Sequence, residues 1–352
     1  MERKKVMIGM SGGVDSSVAA LLLKQAGHQV AGVTFRLWDA KGSREDPNVR
    51  DAKTVCQRLG IPHFVLDFRD LFRDSVVEYF RREYEAGRTP NPCVACNRSI
   101  KFGAFLEKAR EMGYDTVATG HYAQLVWDER TKKYLLRPGK IEKKDQSYVL
   151  YMLTQEQLSH ILMPIGGYSK EEVRQIAKEN GLLVADKPDS QDICFVPGGD
   201  HAAFLREYTG HSGAPGNFVD PSGRVLGPHE GLWNYTIGQR KGLGLSLNAP
   251  AFVSGIDAAT GAVTVTTCPG ELMSFKVLVG KVNWMMGEPP AQPVNWKVKI
   301  RYAHHAAQAT VTPLENSGAQ VEFDSPQRAV TPGQAAVFYT LDGTLMGGGT
   351  IL

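Results

Sequence analysis

The sequence predicts an α/β protein: a parallel sheet with helices on both faces, followed by two small β-rich domains, the last a β-barrel. Two observations carry this. Up to about residue 205, short β-branched runs alternate with amphipathic helical stretches, the pattern of a parallel sheet covered by helices. After about residue 206, alternating strands are broken by Gly/Pro turns. A Pro/Gly-rich patch, Met286-Gly287-Glu288-Pro289-Pro290, points to two modules in this β half, with a boundary near residue 272. The expected domains are residues 1–205, 206–272 and 273–352.

In order, Val6 to Met10, Val30 to Thr34, His63 to Leu66 and Thr116 to Thr119 read as strands. Val18, Leu21 and Leu22 share one face of a helix stopped by Gly27, and Ala52, Val55 and Leu59 do the same before Gly60. Ser169 with Glu172 forms a capping box that opens a further helix. In the β half, Phe218 to Val225 turns at Pro221-Ser222-Gly223, and Ala262 to Thr267 alternates as a strand.

At 352 residues and 42% hydrophobic content the chain can bury a large core. Its 40 basic and 37 acidic residues give a net charge of only +3, so any nucleic-acid surface must be local. Met1 to Met10 lacks the apolar region and cleavage site of a signal peptide, and no apolar run approaches the roughly 18 residues of a membrane span. Five cysteines, an odd number in a long chain, do not read as a secreted disulfide framework. A reducing, cytoplasmic compartment without a membrane partner is expected, where cysteine serves metal binding or chemistry.

The sharpest motif is Gly9-Met10-Ser11-Gly12-Gly13-Val14-Asp15-Ser16-Ser17, directly after the first strand and opening the first helix. Glycines let backbone N–H groups approach an anion, hydroxyls add donors, and the helix N-terminus supplies positive potential. The Gly-Lys-Ser/Thr ending of a Walker loop is missing. The bland reading is a glycine-rich turn with no ligand; the motif's position favours a phosphate cradle. Gly120, in Ala118-Thr119-Gly120-His121-Tyr122, follows the fourth strand, where an open α/β sheet places ligands. His121 by itself reads as a satisfied structural histidine, and only its place at the strand end makes it a site candidate.

Asn91-Pro92-Cys93-Val94-Ala95-Cys96-Asn97 holds a Cys-x-x-Cys, and Cys194 follows in Asp189-Ser190-Gln191-Asp192-Ile193-Cys194-Phe195. Structural zinc, an iron–sulfur cluster and a catalytic pair compete for these thiols. Zinc would want a fourth ligand, usually from a second Cys-x-x-Cys at short range, which the chain lacks. Sulfur chemistry needs a thiolate, which Arg98, Lys101 or Lys187 would favour. Cys56 and Cys268 read as small buried apolar residues.

The Ser11-Gly12-Gly13-Val14-Asp15-Ser16 string resembles the pyrophosphate (PP) loop of the ATP pyrophosphatases. That implies ATP cleavage between the α and β phosphates, with Asp15 helping to hold Mg²⁺. This loop, NPCxxCN, TGHYA, Lys144-Asp145-Gln146-Ser147-Tyr148, DSQDICF and Tyr235-Thr236-Ile237-Gly238-Gln239-Arg240 occur in the order seen in tRNA 2-thiouridylases, which the chain resembles over nearly its whole length. The resemblance implies a PP-loop enzyme that adenylates the C2 oxygen of the wobble uridine in a tRNA anticodon loop and replaces it with sulfur.

Carried over residue by residue, Cys194 would bear a persulfide received from a sulfur-carrier or cysteine desulfurase protein, and Cys96 would pair with it as a disulfide on release. Gly9, Met10, Ser11, Gly12, Gly13, Val14, Asp15, Ser16, Phe35 and Gly120 would hold ATP. Asn91, Pro92 and Cys93 would surround the flipped base. Many relatives carry Asp where this chain has Cys93, which raises a second route: Cys93, Cys96 and Cys194 holding a [4Fe–4S] cluster with one open iron.

For RNA, the sequence offers Lys132, Lys133, Arg137, Lys140, Lys143 and Lys144 against only Glu142 and Asp145, a strip that reads as a solvated hairpin unless fused to a functional motif. Here it runs into Lys144, Asp145 and Gln146. Lys297-Val298-Lys299-Ile300-Arg301-Tyr302 alternates basic with apolar residues, which in a strand sets the charges on one face. By resemblance His121, Arg301, Tyr302 and Gln334 touch tRNA. Two rivals stand: an ATP-dependent amide ligase of the same loop class, which has no use for Cys96 and Cys194, and a non-catalytic RNA-binding module with a structural metal.

Overall fold

The structure, a computed structural model, describes residues 3–38, 46–188, 193–211, 213 and 215–352. The first seven strands are β1 (Lys5–Gly9), β2 (Gln29–Arg36), β3 (His63–Asp67), β4 (Thr116–Ala118), β5 (Ala123–Asp128), β6 (Lys133–Pro138) and β7 (Ile161–Leu162). Five of them form an all-parallel sheet in the order β3-β2-β1-β4-β7. The four strands anticipated from sequence are present. The two-residue β7 has too little pattern to be read.

Around this sheet lie α1 (Val14–Gln25), α2 (Pro47–Leu59), α3 (Arg69–Phe72), α4 (Glu78–Glu85), α5 (Pro92–Cys96), α6 (Phe105–Glu111), α7 (Gln155–Ser159) and α8 (Lys170–Glu179). Alternation along β1 explains the two covered faces. Val6 and Ile8 pack with Val18 and Leu21 of α1 and Val55 and Leu59 of α2, while Met7 faces Phe105 and Leu106 of α6. Gly60 caps α2 in the left-handed region at φ 62°, and Ser169 with Glu172 makes the expected capping box on α8. A π-helical segment, Arg73–Val77, joins α3 to α4, and another, Asn97–Ala104, joins α5 to α6 directly after Cys96.

A ninth helix, α9 (His201–Thr209), runs through the position where the sequence placed its first boundary. The next sheet holds β8 (Gly216–Val219), β9 (Val225–His229), β10 (Phe252–Asp257) and β11 (Ala262–Thr266) in the order β10-β11-β8-β9, around Phe218, Val253 and Val263. The last module contains β12 (Met273–Trp284), β13 (Val294–Lys299), β14 (Ala307–Leu314), β15 (Gly318–Arg328), β16 (Ala335–Tyr339) and β17 (Leu345–Ile351). Pairing of β12 with both β15 and β17 closes these six strands into a barrel over Val279, Val298, Val311, Val321 and Phe338. Closure leaves no open edge among them. Gly287 of the Pro/Gly patch lies in the turn after β12, where its N–H donates to Trp284 O at 2.8 Å, so that patch is a turn of the barrel.

The basic hairpin read as an RNA strip has a different place. β5 and β6 join the barrel's sheet through Leu136 opposite Leu345 of β17. Tyr148, fully buried, donates to Ala335 O at 2.8 Å, and Asn283 Nδ2 donates to Tyr151 O at 2.7 Å and Leu153 O at 3.0 Å. The Lys144–Tyr148 motif is therefore part of the seam between sheet and barrel. Cys268, expected to be buried, is exposed, because it lies just past the last core-facing residues of β11; Cys56 is buried as expected. Among the described residues no helix is long and apolar enough to cross a membrane.

Candidate active site

The loop after β1 is shaped by close backbone approaches. Gly12 has φ 70°, and a Cβ there would lie 2.7 Å from Asn48 O; a Cβ on Gly120 would lie 2.8 Å from Ser16 N. Gly120 thus lets the end of β4 pass against the first turn of α1. That helix starts at Gly13 with no side-chain cap, which leaves its first N–H groups to a ligand. Ser16 Oγ accepts from Ser11 N at 3.2 Å, and Ser17 Oγ donates to Gly13 O at 2.8 Å, so hydroxyls brace the loop from within. Phe35 closes one side, its ring packed on Gly9 and 4.8 Å from the Phe105 centroid. Lys187 closes another by donating to Gly12 O, Asn48 Oδ1 and Asp51 Oδ2.

Asp15 is not an isolated metal ligand. Its carboxylate accepts from Tyr122 Oη at 2.7 Å and from Lys170 Nζ at 2.8 and 2.9 Å. Neither partner was legible in the sequence: Tyr122 lies in the TGHYA motif and Lys170 is the residue after a helix cap.

The elements that carry the three thiols pack together, with Cys96 and Phe195, the neighbour of Cys194, in one buried cluster. Cys93 and Cys96 sit on α5, whose N-cap Asn91 accepts from Val94 N at 3.3 Å. Cys194 lies in a turn tied by Val196 N donating to Ile193 O at 2.9 Å. Phe195 anchors that turn, its buried ring 5.5 Å from Phe72, 5.3 Å from Phe80 and 5.2 Å from Phe204. Cys96 is buried, and Cys93 and Cys194 open to solvent. Asp189 to Asp192 of the same motif lie outside the described residues.

Desolvation pushes all three thiols up, Cys96 to about 12, and each feels Lys101 as the opposing cation. Cys93 raises both of the other thiols, and Cys194 raises Cys96, so the three lie within electrostatic reach of one another. For Cys96, the buried one, desolvation outweighs the lysine and favours the protonated thiol at rest. Of the three cations offered by the sequence, Lys101 serves the thiols and Lys187 serves the nucleotide loop. Three cysteines are the donor set of a cluster with an open iron, yet among the described residues no three Cys, His, Asp or Glu side chains are gathered to hold a metal ion.

Several expected RNA contacts are occupied elsewhere. His121 is buried, bonded to Thr119 Oγ1 at 2.6 Å, and its pKa lies well below the imidazole value through desolvation and then Lys101. Its burial favours the neutral imidazole. Asp145 accepts from Gly139 N, Ser147 N and Ser147 Oγ, and Gln146 Oε1 accepts from Tyr122 N at 3.0 Å, so both organise the seam. Lys132 pairs with Glu129, Lys140 with Glu172, and Lys133 donates to Met286 O. Gln334 Nε2 donates to Thr89 O at 3.0 Å.

Tyr302 remains exposed, beside Lys299 Nζ, which lies 5.9 Å from its ring centroid and equally far from that of Tyr148. Burial, then Asp145, raise the Tyr302 pKa, and Cys93 adds to this. Val298 and Ile300 face the core while Lys297 and Lys299 do not, as the alternation implied. Arg301 Nη1 donates to Arg328 O at 3.1 Å.

A glycine-rich loop after the first strand of a parallel sheet, with cysteines on a short helix and a turn beside it, defines the class: a nucleotide-binding α/β domain equipped for sulfur chemistry. The family described as the tRNA methyl transferase HUP domain matches residues 4–198, its PRC-barrel domain residues 202–267, and an aminomethyltransferase beta-barrel domain residues 274–351. The tRNA-specific 2-thiouridylase MnmA of Acetivibrio thermocellus is 49% identical over 361 residues, covering 100% of both chains. That of Carboxydothermus hydrogenoformans is 48% identical, over 99% of this chain and 98% of its own. The chain belongs to the tRNA-specific 2-thiouridylase family. Among solved structures, the U34-tRNA thiolase NcsA from Methanococcus maripaludis with its [4Fe-4S] cluster is 20% identical at a TM-score of 0.37, over 60% of this chain and 65% of that one, too slight a likeness to carry anything across.

Proposed function

We propose that this chain is a tRNA-uridine 2-sulfurtransferase, which uses ATP to activate a tRNA uridine and replaces its C2 oxygen with sulfur. Full-length kinship supports the reaction. The observation that supports the mechanism is that Cys96 and Phe195, the neighbour of Cys194, pack in one buried cluster.

The open N-terminus of α1 and the Ser11 to Ser16 loop hold the polyphosphate, with Mg²⁺ supplying further charge neutralisation when bound. The uridine C2 oxygen attacks the α-phosphorus and pyrophosphate leaves, which makes AMP the later leaving group. Cys194, the exposed thiol on its turn, carries a persulfide loaded by a sulfur-carrier protein. Its terminal sulfur bonds to C2 as AMP departs. Cys96 then attacks the Cys194 sulfur; the S–S bond to the transferred sulfur breaks, its electron pair stays on the new thiocarbonyl sulfur, and a Cys96–Cys194 disulfide forms. A dithiol reductant restores both thiols. Lys101 stabilises the thiolates that form transiently.

The test is ATP-dependent thiolation of unmodified tRNA by anaerobically purified protein, with cysteine and a cysteine desulfurase supplying sulfane sulfur, a dithiol as reductant and iron measured, for wild type, Cys93→Ala, Cys96→Ala and Cys194→Ala. Iron-free thiolation lost in the last two and kept in Cys93→Ala supports the persulfide route. Iron with acid-labile sulfide, and loss in all three, replaces that route by a cluster. Turnover of ATP that survives loss of Cys96 and Cys194 favours an amide ligase. No thiolation under any condition removes the reading.

A further inference from the structure

We infer that Gln334 and the turn that carries it are positioning parts of the thiol site, through which the barrel sets the start of the Cys93–Cys96 helix. This rests on the sulfur-transfer reading of that helix. Residues 88–91 lead straight into α5, and both β modules hold them. Thr89 N donates to Pro332 O at 2.9 Å, while Gln334 Nε2 donates to Thr89 O at 3.0 Å and Pro90 O at 3.4 Å. From the middle module, Thr236 Oγ1 accepts from Thr89 Oγ1 at 3.4 Å. The next residue, Asn91, is the N-cap that opens the helix.

The turn is itself rigidly mounted. Gly333 N donates to Ile351 O at 2.9 Å, Gln334 N to Thr331 O at 3.2 Å, and Ile351 N to Gln334 O at 2.8 Å. Gly333, at φ 90°, lies so close to the loop that a Cβ would fall 2.9 Å from Thr89 O and 3.0 Å from Arg88 Cβ. A displacement of this turn therefore moves Thr89 and Pro90 with it, because backbone meets backbone with no slack. On the same barrel, Tyr302 comes within electrostatic reach of Cys93. RNA seated on the barrel face thus has a mechanical path to the thiols that needs no contact between RNA and Gln334.

The experiment uses full-length Gln334→Met, which removes the donors at similar length, and Gln334→Glu, which sets a carboxylate against two carbonyls. Three quantities are measured: iodoacetamide labelling of Cys93 without tRNA, tRNA affinity, and single-turnover thiolation. The expected result is a labelling rate changed by about threefold or more and thiolation slowed by roughly tenfold or more, Glu worse than Met, with tRNA affinity held within about twofold. Loss of tRNA affinity with unchanged Cys93 labelling would overturn the inference and make Gln334 an RNA contact, as would no change in any quantity. A stability loss alone would lower the melting temperature and leave labelling of the folded protein unmoved, again against it. Should wild type show no thiolation, the sulfur-transfer reading fails, while the labelling arm still reports whether Gln334 positions the helix.

Discussion

Lys170 Nζ lies 2.8 and 2.9 Å from the two carboxylate oxygens of Asp15, joining the first residue of α8 to the first turn of α1. The lysine side chain is only 8% exposed and the aspartate 33%. An uncompensated carboxylate in that turn would repel a polyphosphate at the neighbouring helix N-terminus, and the ammonium cancels it.

Replacing Lys170 by Met is expected to weaken ATP binding by about tenfold or more, the loss of a charge-assisted contact of about 2 kcal/mol. AMP, with less charge on the loop, loses less. Calorimetric titration of the two nucleotides checks this; equal losses for both would show a general loosening of the fold instead.

The buried thiol of Cys96, pushed up to about 12 by desolvation, gives a signed pH effect. Its folded pKa exceeds the unfolded one, so its stabilising contribution is complete below the ordinary thiol value and is lost as pH rises from there toward 12. The urea midpoint of wild type should fall more steeply than that of Cys96→Ala over this window. Parallel slopes would show that Cys96 ionises normally.

The Gly120 approach predicts a costly small change. Gly120→Ala places a methyl 2.8 Å from Ser16 N and 3.0 Å from Asp15 C, backbone atoms that move only if α1 moves. A destabilisation of about 1–3 kcal/mol is expected, with ATP affinity reduced as the loop is displaced. Denaturation and nucleotide binding together check it, and unchanged ATP affinity would mean that the loop tolerates the shift.

At the seam, Tyr148→Phe leaves the Ala335 carbonyl without its buried donor and should cost about 1–2 kcal/mol. Because the bond ties the sheet domain to the barrel, unfolding of the variant should separate into two transitions, seen by calorimetry. A single transition at the wild-type temperature would show that the seam rests on Asn283 and packing alone.

The sequence by itself determined the parallel sheet, the glycine-rich loop that follows its first strand, and the barrel character of the last module. Those features depend on local rules: period-two alternation in Val6 to Ile8, glycine where backbones crowd, Ser169 and Glu172 at a helix start. Tertiary structure alone decided who partners whom. Lys170 reaches Asp15 across 155 positions, and Gln334 reaches Thr89 across 245. The burial of Tyr148 against Ala335 likewise could not be read from the charged run that precedes it. Polar side chains satisfy whatever donor or acceptor the fold brings near, and that neighbour is set by packing of distant elements rather than by local pattern.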